Sequence, residues 1–288
     1  MKGKFPVAES APRLTRQRRE AIAALAESVA SRYKEGRVEP EAIAAQEQIA
    51  FRYASFPEDF DGILLHEDGR FFIVCNESRA ERGSPRSRFT LAHELGHYFL
   101  AEHREALASG RMPPHFSLAE HASNQPVEKE ADLFAANLLM PSIPFRIAAG
   151  AHPDGVDQIA ALAAAFGTSL TATAFRALEL EIFPAPAAVF RWDALGRRTV
   201  QRMSWATFVA GGDLQMLADE PPEDSLTARA IRDVSSGKQR GSIDGAAWFP
   251  GLGYSPKQTL LREEVISLGQ YGWLTLVWQA GPDRSART

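Results

Sequence analysis

The residues of this chain with the clearest capacity for chemistry are His93, Glu94 and His97, in the run Phe89-Thr90-Leu91-Ala92-His93-Glu94-Leu95-Gly96-His97-Tyr98-Phe99-Leu100. The pattern is His-Glu-x-x-His. On a helix, two histidines four apart stand one turn apart on one face, so both imidazoles reach a single ion. Zinc suits imidazole nitrogen, and the glutamate between the histidines is placed to take a proton from a water that the ion activates. Phe89, Leu91, Ala92, Leu95, Phe99 and Leu100 would wrap the three polar residues in apolar surface. The bland alternative is a core helix with two histidines that are merely hydrogen-bonded.

A catalytic zinc takes three protein ligands and keeps one position open. His103 follows His97 by six residues, the metzincin spacing, but that motif needs a glycine where this chain has Leu100. If the helix runs on, His103 lies about 240° round the axis from His97. The other source is the stretch Val127 to Met140, which reads as a helix with Pro126 in its first turn and Pro141 at its end. Glu128 and Asp132 are four apart and share a face. Glu128 is the preferred third ligand, and Asp132 is the carboxylate that hydrogen-bonds a ligand imidazole. Glu130 points about 200° away from Glu128 and is expected in solvent.

Other elements must hold these residues. Arg13 to Lys34 has helical periodicity, with a basic start at Arg13, Arg16, Arg18 and Arg19 that reads as a solvated face. A short helix is expected over 39–47, and strands over 48–54, 62–66 and 70–75, the last two joined by an Asp68-Gly69 turn. The active helix is expected over 87–103. Residues 156–182 read as short helices with a Gly turn and a Ser/Thr cap, a helix-turn-helix-like arrangement that reads as a structural helical hairpin before a DNA reader, since Arg176 is joined by few other base-reading side chains. After Pro184 the composition shifts to strands, at 189–192, 198–203, 259–267 and 273–278, and all five tryptophans lie in this half.

At 288 residues the chain suits two modest domains or one with an accessory part; at 45% hydrophobic and 24% charged it has enough apolar residues for a sizeable core, and its net charge of −4 gives no global reason to bind nucleic acid. Cys75 is the one cysteine, so no internal disulfide can form, which fits a reducing cytosol. The N-terminus has no apolar signal core and no run approaches a membrane span, so a cytoplasmic protein without membrane contact is expected.

Arg88 to His97, followed by Glu128-Lys129-Glu130-Ala131-Asp132-Leu133-Phe134-Ala135-Ala136-Asn137-Leu138-Leu139-Met140-Pro141, resembles the ImmA/IrrE family of metallopeptidases, as do Asn76 and the arginine-rich approach to the helix. The likeness is specific over about residues 60–142. It implies zinc on His93, His97 and Glu128, with Glu94 as the base. It also implies a helix-turn-helix transcriptional repressor as substrate, cleaved to induce stress, mobile-element or antiphage genes. Some members of that family carry a helical segment and a GAF-like sensory domain after the peptidase. The expected fold class is therefore α+β: a zincin-like domain over 1–150, a helix-turn-helix-like segment over 151–183, a GAF-like domain over 184–280 and a tail over 281–288.

Three expectations concern regulation and mechanism. Tyr98, His115 and His121 are candidate oxyanion donors. Arg79, Arg82 and Arg86 are candidate contacts for a single-stranded nucleic-acid activator, a small molecule being the other activator class. Cys75, at the end of a strand expected at the sheet edge beside the cleft, is a candidate latent-state zinc ligand against the bland reading of a buried residue. The rival to the whole reading is a DNA-binding or ligand-sensing regulator with a structural zinc and no proteolysis.

Overall fold

The computed structural model describes residues 14–32, 37–57, 59–112, 117, 125–152, 154–184, 187–203, 219–233, 237–249 and 260–279. The expected N-terminal arm, the Pro113-Pro114 breaker, His115, His121 and the 281–288 tail lie outside the described residues. The chain divides into two units, one of residues 1–142 with 166–168, the other of residues 143–165 with 169–288. The helices read from sequence as a segment of their own are counted with the second unit in this division.

The first unit holds α1 (Arg16–Ala30), α2 (Pro40–Gln46), β1 (Ala50–Ala54), β2 (Gly62–Glu67), β3 (Arg70–Asn76), α3 (Pro85–Phe99), α4 (Ala101–Ala108) and α5 (Pro126–Leu139). Its sheet has the order β1-β3-β2, with β1 parallel and β2 antiparallel to β3. Asp68 and Gly69 take φ of 49° and 74°, the two left-handed residues a tight hairpin needs to match strand twist. β3 is thus the central strand. This corrects the expectation that the strand ending at Cys75 lies at the edge: a strand's own residues do not say which neighbours it will pair with.

Ser84 caps α3 by accepting the Ser87 N–H, and Pro85 sits in the first turn where its missing N–H costs nothing. The helix does not run to His103 as expected. It ends at Leu100, whose φ of −72° and ψ of 106° are extended, and α4 starts at Ala101. No glycine is required, because this break uses a conformation open to any residue. Gly96 lets α3 press on α5: a Cβ there would lie 3.2 Å from the Ala131 Cα and 3.3 Å from the Phe134 Cβ. Ala131, Phe134, Ala135 and Leu138 fill that seam, and Ile22, Ala26 and Val29 of α1 are buried with them in the unit's interior. Buried Arg88 pins the start of α3, donating to the Glu39 carboxylate and to the carbonyls of Val38 and Gly167.

The second unit holds α6 (Ser142–Gly150), α7 (Val156–Phe166), α8 (Leu170–Glu179), β4 (Ala187–Trp192), β5 (Arg198–Met203), α9 (Leu226–Arg232), β6 (Lys238–Asp244), α10 (Gly245–Trp248), β7 (Leu260–Ser267) and β8 (Trp273–Gln279). Its strands form one antiparallel sheet, order β5-β4-β8-β7-β6. Phe190, Trp192, Trp248, Val265, Trp273 and Val277 make its core. The buried Glu263 carboxylate caps α9 by accepting from the N–H groups of Leu226 and Thr227 and from the Thr227 hydroxyl. β6 carries no apolar alternation and was not legible as a strand; it is a polar edge strand, where charged residues are tolerated. α7 and α8 bend by 107°, with Gly167 at φ +65° and Ser169 capping α8. That angle is within the helix-turn-helix range. Arg176, however, is buried and paired with Glu179 at 3.1 Å. Among the described residues, no single helix is long and apolar enough to cross a membrane.

Candidate metal centre

α3 and α5 bring the expected donors together. His93 Nε2 and His97 Nε2 are 3.1 Å apart. Glu128 places Oε2 3.3 Å from the first and Oε1 3.3 Å from the second. Donors about 2.0–2.1 Å from one ion at a tetrahedral angle sit about 3.3 Å from each other, so this triangle has the dimensions of a zinc site. All three residues are buried, and they are the one His/Cys/Asp/Glu group of metal-holding geometry among the described residues.

The outer ring nitrogens show which way the protons point. His93 Nδ1 lies 3.0 Å from Asp132 Oδ1, the partner expected from the helix spacing. A carboxylate only accepts, so His93 donates from Nδ1 and turns an Nε2 lone pair inward. Without a metal, burial opposes a charge on His93, but its hydrogen bonds to the Asp132 and Glu128 carboxylates outweigh it and push its pKa up to about 10, so an ion held by Nε2 would displace a proton there. Burial, reinforced by the neighbouring His93, pushes His97 down to about 3 despite Glu128. The donor set and spacing therefore fit a divalent ion held by His93, His97 and Glu128.

Glu94 is buried beside this triangle, with strand β2 passing over it at Gly62. The approach is held from behind by Asn76, whose Oδ1 accepts from the Phe56 and Ser78 N–H groups and whose Nδ2 donates to the Phe60 carbonyl. Asp61 is fixed by Arg86, Nε to Oδ1 at 2.7 Å and Nη2 to Oδ2 at 3.0 Å.

Cys75 does not join the donor group. It is buried in the central strand, opposite Tyr53 and Gly62, and burial with the nearby Glu94 charge pushes its thiol pKa up, away from a thiolate. The three arginines proposed for nucleic acid are engaged within the unit: Arg86 on Asp61, Arg79 on Asp59 at 2.7 Å, and Arg82 over the Tyr53 ring. The Tyr98 ring packs edge-on against Phe71 under the Arg104 guanidinium.

Two side chains lie elsewhere than continuous ideal helices predict, although His103, as expected, is not among the donors. Because α3 stops at Leu100, His103 returns to His97, Nδ1 to Nδ1 at 3.1 Å, behind the ligand ring and not at the donor triangle. Glu130 is not solvated: its carboxylate meets His103 Nε2 at 3.1 Å and Arg18.

A mixed α+β unit with paired helical histidines, a facing glutamate and a buried Glu94 has the form of a metallopeptidase domain. Residues 46–178 match the family model of the IrrE N-terminal-like domain, Peptidase M78. The chain thus carries an IrrE N-terminal-like domain, and the resemblance to the ImmA/IrrE family read from its motifs is borne out. No curated protein matches it. One similar solved structure is a Mycobacterium tuberculosis transcriptional regulator, 14% identical, with a TM-score of 0.58 over 90% of this chain and 76% of that one. At such identity the likeness concerns the fold alone.

Proposed function

We propose that this protein is a zinc-dependent endopeptidase that cleaves a helix-turn-helix transcriptional repressor in the cytoplasm and so induces stress, mobile-element or antiphage genes. The observation that carries this reading is the His93–His97–Glu128 triangle with Glu94 buried beside it, on an IrrE-like domain. A zinc ion held there supplies Lewis acidity, lowering the pKa of a water to about 7 and polarising the scissile carbonyl. Glu94 takes the proton of the attacking water and returns it to the leaving amine. Asp132 holds the His93 ring so that Nε2 faces the donors. β2 is an edge strand whose start is covered by the chain itself: the Ser117 N–H donates to the Gly62 carbonyl at 2.9 Å, so an extended substrate backbone would pair with β2 beyond Gly62 or displace Ser117.

The second unit, an antiparallel sheet with a tryptophan-rich core, suits a GAF-like sensor that gates the peptidase. A small-molecule activator fits this reading better than single-stranded nucleic acid, since Arg79, Arg82 and Arg86 already have partners. The rival, a DNA-binding regulator with a structural metal, rests on the α7–α8 bend, and the burial of Arg176 weighs against it.

The test is cleavage of the repressor encoded beside the gene, by wild type and by Glu94→Gln with zinc content measured in both. Wild-type cleavage, with zinc kept and cleavage lost in Glu94→Gln, is the expected result. Zinc binding with no cleavage by wild type under any candidate activator would favour the rival.

A further inference from the structure

Arg18, Glu130, His103 and His97 form one continuous line of hydrogen bonds drawn from α1, α5, α4 and α3. Arg18 donates from Nε to Glu130 Oε1 at 2.9 Å and from Nη2 to Oε2, and a third contact ties it to Glu102 at 3.1 Å. Glu130 Oε2 then meets His103 Nε2 at 3.1 Å, and His103 Nδ1 meets His97 Nδ1 at 3.1 Å. His97 and His103 are both buried, and only 12% of the Glu130 side chain is exposed.

The donor and acceptor roles along this line are forced. Glu130 is paired with a guanidinium, and a carboxylate only accepts. His103 must therefore donate from Nε2, which leaves Nδ1 of the neutral ring as an acceptor. His97 must then donate from Nδ1, which leaves its Nε2 lone pair facing His93 and Glu128. The charge pair at one end determines the tautomer of the metal-facing histidine at the other. Asp132 does the same for His93 in a single step.

We propose that His103 is a positioning residue for the metal site, acting through His97, and that Glu130 and Arg18 set its tautomer. This rests on the metal-site reading above. It adds to it that a histidine, locked by a remote ion pair, takes the place behind His97 that a carboxylate takes behind His93. Replacing such a partner of a metal-binding histidine typically weakens metal affinity about 10- to 100-fold.

The geometry allows a test by near-isosteric substitutions in the full chain. In His103→Asn the amide oxygen falls near the old Nδ1 position and can still accept from His97. In His103→Gln the amide falls near the old Nε2 position, toward Glu130, and leaves His97 unsupported. Glu130→Gln keeps its shape but can donate as well as accept, so it no longer forces the His103 tautomer. Zinc affinity by chelator competition and the visible spectrum of the cobalt-loaded protein are the readouts, with thermal melting as the check on folding.

His103→Gln should lose about 10- to 100-fold in zinc affinity with a shifted cobalt spectrum, Glu130→Gln about tenfold, and His103→Asn should stay near wild type. Wild-type affinity and spectrum in His103→Gln, or equal losses in His103→Asn and His103→Gln, would overturn the inference. If His103→Gln does not fold, unchanged affinity in Glu130→Gln overturns it. Failure of the wild type to bind zinc or cobalt would instead overturn the metal-site reading.

Discussion

Gly62 lies against Glu94 with no room for a side chain between them. A Cβ on Gly62 would stand 2.9 Å from Glu94 Oε1 and 2.5 Å from Thr90 Cγ2. The edge strand thus passes over the base of the active helix at the one residue type that permits the approach. Gly62→Ala should displace Glu94 or β2 and lower cleavage by about a hundredfold, the usual cost of a misplacement near 1 Å. Zinc content should stay near the wild-type level, since the atoms nearest the added Cβ belong to Thr90 and Glu94 and not to a donor. Wild-type turnover in Gly62→Ala would show that Glu94 does not work where it is seen.

Removal of donors should separate binding from chemistry. His93→Ala and Glu128→Ala should each lose stoichiometric zinc, and Asp132→Ala should weaken it about 10- to 100-fold, all read by metal analysis after dialysis. Full zinc retention in Glu128→Ala would remove it from the ligand set.

The seam between α3 and α5 gives a third expectation. Gly96→Ala must push Ala131 and Phe134 back by a few tenths of an ångström. Because His93 and His97 are on one helix and Glu128 on the other, the same change should lower stability by about 1–3 kcal/mol and weaken metal binding together. Denaturant melts and chelator competition check both, and a loss of stability with intact zinc affinity would mean that the helices part without opening the donor triangle.

The arginines before α3 differ in what they hold. The Asp61 side chain is 1% exposed and takes Arg86 through two bonds. Arg86→Ala leaves that carboxylate poorly compensated and should cost about 1–3 kcal/mol. Arg82→Ala, which removes an exposed guanidinium from the Tyr53 ring, should cost about 0.5–1 kcal/mol. Equal effects in urea melts would argue that Arg86 and Arg82 are both surface groups of little structural weight.

Glu264 in the second unit supplies a pH dependence. Burial raises its pKa; the Val156 N–H, Arg240 and Lys238 oppose the rise and Asp157 supports it. A carboxylate with a raised folded-state pKa contributes stability below its unfolded value, about 4.3, and loses it as pH rises through the folded value. The charged form therefore weakens the unit near neutrality. Glu264→Gln should melt at or above wild type at pH 7 and lose that advantage toward pH 4, followed by tryptophan fluorescence. A deficit at pH 7 that shrinks toward pH 4 would mean that the Arg240 contact, not burial, dominates at this site.

The sequence by itself determined what lies within one helical turn or one hairpin. His93 with His97 and Glu128 with Asp132 share faces because residues four apart on a helix must, and both pairs reached the site as read. The Asp68-Gly69 hairpin was legible for the same local reason. α9 and β6 were not, since one is a short helix capped by the distant Glu263 and the other a polar edge strand without alternation.

Tertiary structure decided what each face meets. The periodicity that placed Glu128 toward the metal also placed Glu130 in solvent, yet α1 lies there and Arg18 holds Glu130 inside. Extending α3 sent His103 away, whereas one extended residue at Leu100 brings it behind His97. Strand order made β3 central and β2 the edge, which set Gly62 over Glu94 and left Cys75 a buried thiol. Helical spacing is a property of neighbouring dihedrals and can be read along the chain. A helix break, a strand's neighbours and the partner of a charged group depend on packing between segments tens of residues apart, and no local pattern encodes them.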